Sequence, residues 1–132
     1  MPLTPEFDER VRRVNVRGSG VIRLEDILTL VGTARADAGH RMWSMLVDAG
    51  GATTDLTDAD VDRLVAAVHR TVHTHGERAH VAIVADEGPL YQHMLAYEAR
   101  CAAMGVTVIR VFRERPDAER WLDIVTAARN FG

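Results

Sequence analysis

Two nearly unbroken apolar runs, Met42-Trp43-Ser44-Met45-Leu46-Val47 and Val81-Ala82-Ile83-Val84, most constrain what this chain can fold into. A strand with one face in water alternates apolar and polar residues. These runs do not alternate, so as strands they must be covered on both faces. The stretch between them carries a helical repeat, and a helix-length connection between two buried strands calls for parallel pairing. A third run, Val106-Thr107-Val108-Ile109-Arg110-Val111-Phe112, is dense in β-branched residues and leads into Pro116, whose missing N–H is tolerated in a first helical turn. The expected fold is α/β: a single domain over residues 1–132, with its core at about 11–125. Its central sheet is mostly parallel or mixed, with four to five strands and helices on both faces.

The remaining elements follow from periodicity and punctuation. Val14 and Val16 alternate with Arg13, Asn15 and Arg17 before Gly18-Ser19-Gly20 breaks the strand. Val11 is out of phase, which either a bulge or a short preceding strand near Leu3 to Phe7 would accommodate. Leu24, Ile27, Leu28, Val31 and Ala34 repeat at helical spacing with Glu25 and Asp26 in the first turn, and Gly39 is placed to end that helix. Thr57 is a candidate N-cap with Asp60 at the capping-box position. Val61, Leu64, Val65, Val68 and Val72 form the stripe behind it, with Gly76 as terminator. A third helix places Leu90, Met94, Tyr97, Cys101 and Met104 on one face and stops at Gly105, and the last helix presents Ala118, Trp121, Leu122 and Val125.

Composition removes several kinds of chemistry. All 16 basic residues are arginine, so a Schiff-base or phosphate-loop lysine is not available. The two serines, Ser19 and Ser44, lie outside any G-x-S-x-G elbow, which argues against serine hydrolase chemistry. A net charge of −3 argues against bulk nucleic-acid affinity, although Arg10, Arg12, Arg13 and Arg17 could form a local basic edge. With one cysteine, no run near the roughly 20 apolar residues of a membrane span and no secretion-signal pattern, the expectation is a soluble cytoplasmic protein.

The closing segment resembles the SpoIIAA-like family, relatives of the STAS domains of anti-sigma-factor antagonists. Members often end in a pattern like V-F-x-x-x-x-x-A-x-x-W-L, matched here by Val111-Phe112, Ala118 and Trp121-Leu122. Gly20-Val21-Ile22-Arg23-Leu24-Glu25-Asp26 is similar to the family's glycine, short apolar step and acidic helix start, and His80 to Asp86 to its central strand and acidic loop. The resemblance implies a non-enzymatic regulatory or protein-interaction domain. In partner-switching STAS domains a Ser or Thr at the start of the helix after the second long strand is phosphorylated, typically within an Asp-Ser-Ser-Gly-like sequence. This chain instead has Asp48-Ala49-Gly50-Gly51-Ala52-Thr53-Thr54-Asp55-Leu56-Thr57, which leaves Thr53, Thr54 and Thr57 as candidates by position.

Two candidate sites emerge. The first is the loop Asp48 to Thr57 at the carboxyl edge of the sheet, where open parallel sheets bind ligands. There Asp48, Thr53, Thr54 and Thr57 would meet another protein, and Thr54→Glu is expected to probe that contact without harming the fold. The second is an apolar pocket for a small molecule or lipid, lined by Trp43, Met45, Met94, Tyr97 and Trp121. The related STAS-like and Sec14-like folds imply it, and the bland alternative is ordinary core. Homodimerisation is a further expectation. No metal or cofactor is expected: His69 and His73 share a helix face at i, i+4 but lack the Glu of H-E-x-x-H, and His75 falls on another side. Asp48, Asp55, Asp58, Asp86 and Glu87 suit turns and caps. Cys101 reads as a small core residue.

Overall fold

In the computed structural model, which describes residues 2–33, 42–75 and 79–131, the two apolar runs are neighbouring strands at the centre of a sheet. The elements run β1 (Leu3–Asp8), β2 (Arg13–Gly18), β3 (Val21–Ile22), α1 (Leu24–Thr33), β4 (Ser44–Asp48), β5 (Thr53–Thr54), α2 (Asp58–His75), β6 (Val81–Val84), α3 (Pro89–Ala103), β7 (Ile109–Phe112) and α4 (Arg115–Phe131). Five strands form the main sheet in the order β1-β2-β4-β6-β7, and β3 pairs with β5 in a small separate ribbon. Only the β1–β2 pairing of the main sheet is antiparallel; β2, β4, β6 and β7 run parallel. Of the two ways to place Val11, the short preceding strand is the one realised. Arg12 makes the turn between β1 and β2 at φ 53.

The strand order explains where the helices lie. It advances in one direction from β2 to β7, so each right-handed crossover drops its helix on the same face. Helices α1, α2 and α3 accordingly pack on one large cluster. Helix α4 follows the last strand and covers the opposite face, where Ala118 and Leu122 meet Leu46, Ala82 and Val84. The predicted α2 stripe is in place, with Val61, Leu64, Val65 and Val68 buried and Val72 packed against them.

Several expectations need correcting. Strand β4 begins at Ser44, not Met42, because pairing with β2 begins at the Arg13–Ser44 register; Met42 is half exposed. Strand β7 begins at Ile109, since Val106 is used to end α3. Gly105 takes φ 86 and donates to Ala102, while the Val106 N–H donates to the Cys101 carbonyl at 2.9 Å, the paired bonds of a Schellman motif. Met104 is then the C-cap and is 47% exposed, outside the buried α3 face of Leu90, Met94, Tyr97 and Cys101. In α1 the inward side is Leu24, Ile27, Leu30 and Val31; Leu28 faces outward. The expected terminators Gly39 and Gly76, with Ala34, lie outside the described residues.

Arg13 is not part of a solvated strand face. Its side chain lies beneath α4, 8% exposed as a residue, with Nε donating to Ser44 Oγ at 3.2 Å and Nη2 to Asp123 at 2.9 Å. Both outer strands carry features that interrupt further pairing. Glu98 of α3 accepts the Val111 N–H of β7 at 2.6 Å, and β1 contains Pro5.

Candidate functional site

At the carboxyl edge, the sequence produces a loop that fastens itself. Asp48, the last residue of β4, accepts the Gly50 N–H at 3.1 Å, and Asp86, after β6, accepts the Gly51 N–H at 2.7 Å. Gly51 takes φ 81, a conformation a side chain would strain, so the turn needs glycine there. Arg115 at the start of α4 reaches Asp48 at 3.2 Å and Glu119 at 2.7 Å. These partners hold its guanidinium further into the charged form, Glu119 first, against a smaller opposing effect of burial. Glu87 pairs with Arg113 at 3.3 Å, and Asp55 with Arg23 at 3.7 Å. The edge carboxylates therefore close turns and bind arginines. Among the described residues, no group of three or more His, Cys, Asp or Glu side chains is placed to share a metal ion.

The threonines divide by role. Thr57 and Asp60 form the expected reciprocal cap: the Asp60 N–H donates to Thr57 Oγ1 at 3.2 Å, and the Thr57 N–H to Asp60 Oδ2 at 3.0 Å. Thr54 is already engaged, which corrects its expected use as a harmless site for added charge. Its hydroxyl donates to the Ile22 carbonyl at 2.7 Å and accepts from the Leu56 N–H at 3.1 Å. A glutamate there would break both bonds and burden the β3–β5 ribbon. Thr53 is exposed; its N–H donates to the Gly20 carbonyl at 2.8 Å and its hydroxyl to the same oxygen at a long 3.4 Å, so it has less to lose than Thr54 and is the better position for added charge.

The apolar candidates also divide. A cavity of about 80 Å³ lies between the sheet and the three helices on its larger face. Met45, Val47 and Ile83 form its floor, Met94 and Tyr97 reach in from α3, and Ile27, Leu30 and Val31 close it from α1. Met45, Met94 and Tyr97 are thus brought together as expected. Trp43 packs on the same cluster, in edge contact with Phe7 at 6.4 Å between ring centroids, but does not line the cavity. Trp121 is a correction: it lies on the other side of the sheet, against Phe112 and His80. Helical spacing shows which side of a helix is buried but not which face of the sheet it covers.

Sequence reasoning did not single out the α1 contribution. None of α1's residues with a described side chain is fully buried, although three line the cavity, and the apolar spacing of Ile27, Leu30 and Val31 was the available signal. Cys101 lies on the buried face of α3 as expected. Burial pushes its thiol up from 9.0 to about 11, against a smaller opposing effect of its hydrogen bond to Tyr97. His69 and His73 stack with ring centroids 6.3 Å apart; His75 has no described side chain.

No known protein-family description matches the chain, and no curated protein matches it. Among solved structures, it is similar to an uncharacterized protein of the DUF3478 family from Shewanella loihica PV-4, described as having a SpoIIAA-like fold. The two share 21% identity with a TM-score of 0.51, and the match covers 91% of each chain. The chain has a SpoIIAA-like α/β fold, and the likeness extends to architecture alone. Among the described residues, no helix is long and apolar enough to cross a membrane.

Proposed function

We propose that this domain is a non-enzymatic binding module that holds a small apolar molecule between its sheet and helices α1, α2 and α3. The cavity carries the reading. Protein interiors are close-packed, and a void forfeits the dispersion contacts of the atoms that line it. A void within the main cluster, lined almost wholly by aliphatic side chains and two methionines, has the apolar lining of a small-ligand site. The test is a titration with fluorobenzene followed by fluorine NMR. Saturable binding is expected in the wild type and should be lost in Val68→Phe, which places a ring in the cavity from α2. Thermal melting of that variant and of Val31→Phe checks that the fold survives. Binding that persists in both folded variants would show that the ring sits elsewhere.

The second reading is docking of another protein at the carboxyl edge, with the regulatory role that the fold resemblance implies. It is supported by the way Asp48, Asp86 and Thr54 lock the loop backbone while leaving Gly50, Gly51, Thr53 and Thr57 exposed. Thr53→Glu is the probe. Capture of a partner should weaken while the thermal midpoint moves by no more than a few degrees. A cytoplasmic setting accords with either reading, since the one cysteine cannot form an internal disulfide and a reducing compartment suits it.

A further inference from the structure

We propose that the outer edge of β7 is a dimerisation edge held shut by Glu98. When that carboxylate leaves, β7 pairs antiparallel with β7 of a second copy of this chain, and the two Val111 residues meet on the two-fold axis. The proposal stands apart from both readings above, since it uses neither the cavity nor the carboxyl-edge loop.

The ladder to β6 fixes which backbone groups face outward. The Val81 N–H donates to the Val108 carbonyl at 2.8 Å, and the Ala85 N–H to the Phe112 carbonyl at 3.0 Å. Backbone direction alternates along a strand, so Val108, Arg110 and Phe112 turn toward β6 while Ile109 and Val111 turn away from it. Among the described residues β7 is the last strand of the sheet, and those two residues form its outer edge. Glu98 reaches from α3 and accepts the Val111 N–H at 2.6 Å. Its oxygen stands where the carbonyl of an added strand would stand, so the contact competes with strand addition.

The side chains of β7 fit it to itself. With the axis between Ile109 and Val111, the two Arg110 side chains would lie directly opposite, and like charges so placed are destabilising. With the axis on Val111, Arg110 lies opposite Phe112 of the partner subunit, on the face of the sheet where it already sits 5.4 Å from its own Phe112 ring. Each copy then offers one cation and one ring to the other. The opposite outer strand, β1, lacks an N–H at Pro5, so the isologous β7 pair is the favoured contact, and it closes as a dimer.

Sedimentation equilibrium of the full chain tests the proposal. Glu98→Ala should dimerise at least about a hundredfold more strongly than wild type, because each of the two copies is spared breaking a hydrogen bond to a charged group, worth roughly tenfold apiece. Glu98→Gln should fall between the two, since its amide oxygen can still accept the Val111 N–H. In the Glu98→Ala background, Arg110→Ala should weaken the dimer about tenfold. Circular dichroism checks that each variant folds, and Glu98→Ser, equally too short to reach Val111, replaces the alanine variant if that one does not. A folded Glu98→Ala or Glu98→Ser chain that associates no more than wild type, or a Glu98→Gln chain that associates as strongly as either, shows that Glu98 does not hold the edge shut. Assembly beyond the dimer, or a dimer indifferent to Arg110→Ala, overturns the pairing centred on Val111.

Discussion

The two faces of the sheet are built from the same strands and behave as different materials. Among the described residues, 22 buried side chains make up the cluster beneath α1, α2 and α3, whereas five make up the one beneath α4. The difference starts in alternation along each strand. Met45, Val47, Val81 and Ile83 point to the thick side, and Leu46, Ala82 and Val84 to the thin side. Yet the void described above lies on the thick side. Three helices must fit one another as well as the sheet, and small mismatches among them accumulate. A single helix can settle until Ala118 and Leu122 touch the strands. A larger core is therefore not a tighter one, and the place with spare volume is the place where a ligand can be held.

The largest expected effect separates the faces directly. Leu64→Ala on α2 should cost about 4–5 kcal/mol, because it removes a fully buried side chain and leaves a new cavity among neighbours held by three helices. Leu122→Ala should cost about 2–3 kcal/mol, since α4 can move inward to recover contact. Urea titrations giving equal losses would break the comparison and show α4 to be held as rigidly as α2.

Alkaline pH probes the thick side through Cys101. The folded thiol ionises near 11 and the unfolded one near 9.0, so its contribution is intact below pH 9 and disappears as pH rises to about 11. By linkage this amounts to about 2–3 kcal/mol over that window. The part of the alkaline fall that is missing in Cys101→Ala measures it. Identical pH dependence in variant and wild type would mean that folding does not strip water from the thiol.

The smallest expected effect concerns how α2 is anchored over the void. Thr57→Ala should cost about 1 kcal/mol in the same titration, and adding Asp60→Ala should cost little more, because the two residues form one reciprocal cap. Full additivity would mean that the carboxylate and the hydroxyl act separately.

The parallel sheet was legible because Val81 to Val84 and the run through Leu46 cannot be half-solvated, and the caps because Thr57, Asp60 and the glycines act over a few residues. Strand order was not legible, and it decides which face each helix covers. Trp121 was therefore assigned to the wrong side of the sheet, although its place on the inward part of α4 was sound. Arg13 was misread for the same reason: alternation put it beside Asn15 and Arg17, and only the arrival of α4 with Asp123 buries it. The role of Thr54 depends on the Ile22 carbonyl, 32 positions away, which local patterns do not contain. A void is less legible still, because it is a residue of packing.

The Glu98 carboxylate on the Val111 N–H and Pro5 in β1 also bear on how the protein behaves in crowded solution. A sheet grows into fibrils by offering open rows of amide groups to identical neighbours. On β7 one such group is already engaged by a side chain, and on β1 the proline contributes no donor at all. Self-assembly through strand pairing would first have to displace the glutamate or distort the strand, so concentrated solutions should stay clear until the fold itself opens.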